Sequence, residues 1–359
     1  MPLQLVAGFV ALVAGAELLV RGASRLAAAL GVPPLIIGLT VVAYGTSAPE
    51  FAVSIKAALA GQAGLALGNL VGSNIFNTLF ILGLSALLTP LVVSARLVRL
   101  DVPLMIAVSL LVPIMGLDGR FGRADGLVLV GGLVAYTGFQ VWQSRNERPA
   151  VVREYAQEFD DGVAREKRRW IVDAAFVTGG LVLLVLGSRG LVAGAVALAR
   201  VLGIGELIIG LTIVAVGTSL PEVVTSIVAG VRGERDIAVG NVVGSNLFNL
   251  MGALGLASLL APGAVEVAAS VERFDLPVMA ATALACLPIF IGGRISRWEG
   301  GLLAGYYVAY TVYLVMAATG HAALPAFGAA MRWFAIPLTI VTLVVVAVQR
   351  RRNGRVPAI

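Results

Sequence analysis

Two stretches of this 359-residue chain carry residues that could do chemistry: GTSAPE, from Gly45 to Glu50, and GTSLPE, from Gly217 to Glu222. Each places a carboxylate directly after a proline, inside an apolar run long enough to cross a bilayer. A carboxylate at membrane depth costs about 2.5–3.5 kcal/mol on insertion scales, so it marks a functional position. Each proline lacks an N–H, and its ring clashes with the carbonyl four residues earlier, that of Gly45 or Gly217, so the helix should break or kink there. The break should free carbonyl oxygens around Ala43 to Thr46 and Ala215 to Thr218. Such oxygens are intolerable against lipid but useful in a cavity that holds a cation. Thr46, Ser47, Thr218 and Ser219 add hydroxyls beside them.

A second motif, GN-x-VGSN-x-FN, follows each of the first, at Gly68 to Asn77 and Gly240 to Asn249. Ser73 and Asn77 are four residues apart, hence on one helical face, as are Ser245 and Asn249. Repetition, shared face and spacing make these four site candidates. For Asn69, Asn74, Asn241 and Asn246, a site role and simple hydrogen bonding to neighbouring helices stand level. Gly68 with Gly72, and Gly240 with Gly244, form G-x-x-x-G faces that let helices approach closely. The donor set is all oxygen, without nitrogen or sulfur. Hard cations want that chemistry, and Ca2+ accepts six to eight such ligands in flexible geometry. Two glutamates also neutralise one divalent ion.

Around these motifs the composition is that of a membrane protein: 59% hydrophobic, only 13% charged, with apolar runs of transmembrane length. The single cysteine, Cys286, excludes a disulfide within the chain, and the single histidine, His321, lies in a connecting stretch. The net charge of +6 reads as membrane topology rather than nucleic-acid binding. About eleven spans are expected, near 3–30, 33–60, 66–89, 101–117, 124–144, 170–202, 205–230, 237–261, 274–292, 298–319 and 332–349. The N-terminus lacks the basic region of a cleaved signal and reads as the first span. With the N-terminus outside, about 19 of the 26 Lys and Arg residues fall on the inner side, the Arg350 to Arg352 tail and Arg355 included. Trp142, Trp170, Trp298 and Trp333 fall near the expected span ends, as an aromatic belt would.

Internal repetition organises the whole. Shifted by 172 residues, Leu35 to Leu88 overlays Leu207 to Leu260 without a gap, with 31 identities in 54 positions. Further on the offset becomes 174, matching Arg99 to Arg273. Each unit then holds five spans, and an odd number sends the second copy through the membrane upside down, an inverted-topology repeat. The expected fold is an all-α integral membrane protein: ten core helices in two inverted repeats, residues 1–145 and 170–320, joined by a cytoplasmic linker, 146–169. An extra C-terminal helix and basic tail occupy 321–359. The linker carries an acidic run, Glu158 to Asp161, read as a solvated segment. Glu17 aligns with Arg189, which suggests a residue near the membrane interface or a charge pair between the copies.

The paired GTS-x-PE and GN-x-VGSN-x-FN motifs resemble the alpha-repeats of the cation/Ca2+ exchanger superfamily, most closely its prokaryotic sodium/calcium exchangers. The resemblance covers residues 1 to about 320. It implies alternating access around a midplane site, with Ca2+ bound by Glu50, Glu222 and the backbone oxygens of Thr46 and Thr218. It implies Na+ sites that share both glutamates and use Ala43 and Ala215 through their carbonyls, with Ser47, Ser219, Ser73 and Ser245. Asn77 and Asn249 match the remaining site positions; in some members one of these is aspartate, which leaves open how many Na+ are moved, or whether H+ replaces them.

The expectation is an antiporter of the cell's inner (plasma) membrane that exchanges Ca2+ for Na+, with no cofactor and no enzymatic activity, and a repeat pair sufficient as a monomer. A Ca2+/H+ antiporter of the same fold is the alternative. A hydrolase using the two glutamates as acid and base is the remote rival, disfavoured because no nucleophile–histidine pair exists. A passive channel would not need two helix breaks with fully charged ligands.

Overall fold

A computed structural model describes residues 2–158, 169–203, 205, 209, 213 and 215–352. Among these, nine helices are long and apolar enough to cross a membrane, and a tenth is a bent pair. In chain order they are α1 (Pro2–Leu30), the bent pair α2 (Pro34–Thr46) and α3 (Ala48–Leu59), α4 (Gly64–Leu88), α5 (Leu97–Asp118) and α6 (Arg123–Glu158). Then come α7 (Arg169–Val201), the short turn Ala215–Gly217, and α8 (Leu220–Val231). They are followed by α9 (Arg235–Leu260), α10 (Val271–Ile291), α11 (Arg297–Ala318) and α12 (Leu324–Val346). The chain is a multi-pass, all-α membrane protein.

Two of the sequence boundaries move. Helix α6 continues to Glu158, so the first part of the 146–169 linker is helical, and the rest of its acidic run lies outside the described residues. The last span begins at Leu324 rather than near 332, so Trp333 sits about two and a half turns into it and is 82% exposed, away from the belt position. Pro325 lies in the first turn of that helix, where its missing N–H costs nothing, and so permits the earlier start. Leu207 to Thr212, the second LIIGLT, falls almost wholly outside the described residues, as does Arg355.

Contacts between halves are made by equivalent pieces crossed over. Strand β1 (Leu91–Val92), after α4, pairs antiparallel with β4 (Arg294–Ile295), before α11. Strand β2 (Arg120–Phe121), before α6, pairs with β3 (Val265–Glu266), after α9. A shift of 174 turns the first pair into the second, as a twofold relation between the halves requires. Glycines repeat the pattern in the packing. Gly83 of α4 abuts Gly300 of α11, and the equivalent Gly255 of α9 abuts Gly126 of α6, each backbone to backbone. Helices α1 and α7 cross antiparallel through glycines seven residues apart, Gly8, Gly15 and Gly22 against Gly194, Gly187 and Gly180 and their neighbours. Glycine lets two backbones meet where no hydrophobic force between helices is available.

Glu17 on α1 pairs with Arg21, one turn on, at 2.5 Å, and with Arg232 in the turn between α8 and α9. Ser24 donates to Glu234 in the same turn at 2.6 Å. The charge pair between the two copies is therefore present, with Arg232 as the partner rather than the aligned Arg189.

Candidate functional site

The helix break falls where the prolines place it. Helices α2 and α3 meet at a 48° bend, with Ser47 between them at φ −79°, ψ 6°. Ser219 takes the same backbone, φ −89°, ψ 7°, before α8. Pro49 and Pro221 sit in the first turns of the outgoing helices, and Glu50 and Glu222 follow them there. A carboxylate in a first turn is favoured by the unpaired N–H groups and the helix dipole. That local field helps offset the cost of burying two carboxylates, 0% and 1% exposed.

Locally, Ser-x-x-Glu is a capping-box sequence, in which serine and glutamate would bond each other's backbone N–H. Neither box closes here, for neither serine makes a cap hydrogen bond. Instead the serines cross over. Ser47 Oγ donates to Glu222 Oε1 at 2.9 Å, and Ser219 Oγ donates to Glu50 Oε1 at 2.7 Å. Ser73 Oγ joins Ser219 Oγ at 2.9 Å. Each glutamate of one repeat is thus held by hydroxyls of the other.

The second oxygens of both carboxylates, Glu50 Oε2 and Glu222 Oε2, are buried without a hydrogen-bond partner. So are Asn77 Oδ1, Asn249 Oδ1 and Thr218 Oγ1. A buried acceptor left unpaired costs about 1–3 kcal/mol, and more when charged. Five such oxygens among the motif residues make a donor set that suits a hard, dehydrated cation. Asn77 and Asn249 lie in π-helical turns, Asn77–Ile81 and Phe248–Leu254. Such a turn widens a helix by one residue and re-aims the side chains there, a device common at functional sites.

One expectation needs correction. The carbonyl of Ala43 is not left free by the break. It accepts the Ser47 N–H at 3.0 Å, with the hydroxyls of Thr46 at 3.3 Å and Ser245 at 3.5 Å nearby. Gly217 O accepts from Ser188 Oγ at 2.5 Å, and the turn Ala215–Gly217 leads into that break. Ala43 O thus keeps its ordinary helical partner, and a hydroxyl takes over the carbonyl that Pro221 abandons, that of Gly217. Gly240 and Gly244 let α9 approach α2 closely, where a methyl at Gly244 would meet Leu39 O at 2.5 Å.

The remaining asparagines divide by role. Asn69 Nδ2 donates to Ser54 Oγ at 2.9 Å and Glu50 O at 3.4 Å, and Asn241 does the same to Ser226 Oγ at 2.9 Å and Glu222 O at 3.3 Å. Both pin the helices that carry the glutamates. Asn74 and Asn246 instead contact Asn249 and Asn77 across the repeats, at 3.1 and 3.2 Å. Outside the site, a buried cluster escaped the sequence reading: Tyr136 and Gln140 on α6 donate to Asp101 at 2.9 and 2.6 Å. Tyr310 donates to Asp275 at 2.7 Å in the other repeat. The offset of 174, which also relates these two pairs, would have found them.

The family model for "Sodium/calcium exchanger protein" matches residues 1–142 and 173–316. The putative antiporter CaxA of Alkalimonas amylolytica is 39% identical over 313 residues, covering 86% of this chain and 96% of the relative. Sodium/calcium exchanger MaX1 of Methanosarcina acetivorans is 34% identical over 351 residues, covering 87% and 97%. Among solved structures, the sodium-calcium exchanger NCX_Mj soaked with Na+ and Ca2+ superposes with a TM-score of 0.72 at 29% identity, covering 85% of this chain and 95% of that one.

Proposed function

This chain belongs to the sodium/calcium exchanger protein family, whose members are transporters and not enzymes, and from that premise we propose that it exchanges Ca2+ for Na+ by alternating access at the Glu50–Glu222 site. The observation that carries the proposal is the crossed pair of buried carboxylates. Each has one oxygen held by a serine of the other repeat and one with no partner. In this reading Glu50, Glu222 and the backbone oxygens of Thr46 and Thr218 hold Ca2+. Na+ uses the same glutamates with the carbonyls of Ala43 and Ala215 and the hydroxyls of Ser47, Ser219, Ser73 and Ser245. Asn77 and Asn249 complete the cage through Oδ1.

Exchange rather than leak follows from charge. Two bare carboxylates in one dry site repel each other and have lost their solvation, so the site needs a replacement cation before it can change sides. The names of MaX1 and NCX_Mj as sodium/calcium exchangers support Na+ in that role. The positive-inside count supports an external N-terminus and a cytoplasmic C-terminal tail, with the protein in the cell's plasma membrane. Repeats 1–145 and 170–320 contain every proposed ligand, so one copy suffices.

The test is Ca2+ uptake into vesicles holding the purified protein, under Na+ and pH gradients imposed separately. Uptake should follow the Na+ gradient. Uptake that ignores Na+ and collapses with the pH gradient would identify a Ca2+/H+ antiporter instead. Glu50→Gln and Glu222→Gln keep the shape and remove one charge each, and either should abolish exchange in a folded protein. Glu17→Gln, on a half-exposed ion pair, should be far milder. Near-normal exchange in either site variant would show the site misassigned.

A further inference from the structure

Asn77 and Asn249 offer an oxygen to a cation only if their amides are held the right way round, because the other end of each amide carries two N–H donors. The orientation can be read from a fixed point. Asn74 Nδ2 donates to the backbone carbonyl of Asn246 at 3.2 Å, and a carbonyl can only accept. Asn74 Oδ1 must therefore lie on the opposite side, where it accepts Nδ2 of Asn249 at 3.1 Å. That contact leaves Asn249 Oδ1 as the free end, buried and without a donor. In the other repeat, Asn246 Nδ2 is taken by Thr78 Oγ1 at 2.8 Å and the Met105 thioether at 3.5 Å. Its Oδ1 accepts Nδ2 of Asn77 at 3.2 Å, and Asn77 Oδ1 is the end left free. Both Asn74 and Asn246 are 2% exposed, so water does not compete for these bonds.

We infer that Asn74 and Asn246 are positioning residues for cation binding, each turning the oxygen of the other repeat's asparagine, Asn249 or Asn77, toward the ion. This rests on the cation site proposed above. A reversed amide would aim N–H groups at the cation and withdraw an acceptor, so orientation decides whether the asparagine attracts or repels. The Asn74 lock is the stiffer one. Its anchor is a backbone carbonyl, whereas Asn246 is anchored by a hydroxyl that can turn and by a thioether, a weak acceptor. The simpler alternative is that Asn74 and Asn246 only hold α4 against α9.

The two are separated by Asn74→Leu, made in the natural chain and in an Asn249→Asp background. A carboxylate has oxygen at both ends, so there is no orientation left to fix. Equilibrium binding of 45Ca2+ to purified protein is read alongside exchange in vesicles. In the natural background Asn74→Leu should weaken Ca2+ binding about tenfold, the order of one lost hydrogen bond. With Asn249→Asp present, Asn74→Leu should cause no further loss. Equal losses in both backgrounds, or no loss in the first, would overturn the inference. If Asn74→Leu does not fold, Asn74→Ala is read by the same criteria; failure of both to fold even with Asn249→Asp would assign Asn74 to helix packing and also overturn it. A natural chain that neither binds nor moves Ca2+ sinks the proposed function instead. One that does both, with Asn74→Leu unchanged, sinks only this inference.

Discussion

The crossing of α1 and α7 can be tested with a single methyl group. In Gly187→Ala the new Cβ would stand 2.7 Å from Leu12 N, 2.8 Å from Gly8 O and 3.1 Å from Ala11 C, all backbone atoms. No side chain can swing aside, so the helices themselves must part, by about 0.7 Å to restore an ordinary carbon contact. A gap of that size forfeits a quarter to a half of the dispersion well at each contact it opens, and overpacking of this kind costs about 1–3 kcal/mol. Gly190→Ala is the control, one turn further along the same helix. Its Cβ would find only Gly8 Cα at 3.7 Å and the Gln4 carbonyl at 3.9 Å, ordinary distances. There the better helix propensity of alanine should leave stability unchanged or raise it by up to about 1 kcal/mol. Thermal unfolding of both variants in one detergent should therefore put Gly187→Ala clearly below Gly190→Ala. If they unfold together, the backbone-to-backbone crossing is wrong.

Two further outcomes follow from the site and the topology. Mg2+ at equal concentration should not compete with Ca2+ for uptake, because Mg2+ sheds water reluctantly and demands a tighter octahedron than a cage of carboxylates, amides and hydroxyls provides; competition would mean the cage is misread. A reporter fused after Ile359 should read as cytoplasmic, since the helix runs on past the apolar span α12 and ends in Arg350 to Arg352, and an external reading would overturn the orientation and the span count together.

Much of the site was legible because the chain states it twice. The offset of 172 picked out Glu50 with Glu222, Ser47 with Ser219, and Asn77 with Asn249, and the structure brings the members of each pair to the repeat interface. Pro49 marked the bend to within two residues. What the sequence did not disclose is which residues cross over. Ser-x-x-Glu reads locally as a capping box, whereas the partner Ser47 takes, Glu222 on α8, comes from the other repeat and depends on how the repeats pack. The π-helical turns at Asn77 and Asn249 have no composition signal either, because they depend on packing against neighbouring helices. The Ala43 carbonyl was misjudged for a local reason: Pro49 removes the partner of Gly45 O, while Ser47 N–H still reaches Ala43 O, and Ser245 only adds to it.

Equivalent residues in the two repeats do not make equivalent bonds. Ser73 joins the hydroxyl of Ser219, whereas its counterpart Ser245 donates to the carbonyl of Ala43 at 3.5 Å. Thr46 Oγ1 donates to Asn241 Oδ1 at 3.0 Å, whereas Thr218 Oγ1 has no partner. Residue types match at every one of these positions, so the inequality comes from conformation and not from chemistry. Under the proposed alternating access, the exchanged arrangement would put Ser245 with Ser47, Ser73 with the Ala215 carbonyl and Thr218 with Asn69. Each bond lost would be replaced by its counterpart, and a cation that binds one arrangement better would shift the balance. With the repeats inverted in the membrane, as the proposed function has them, such an exchange would also exchange the side from which the buried carboxylates are reached.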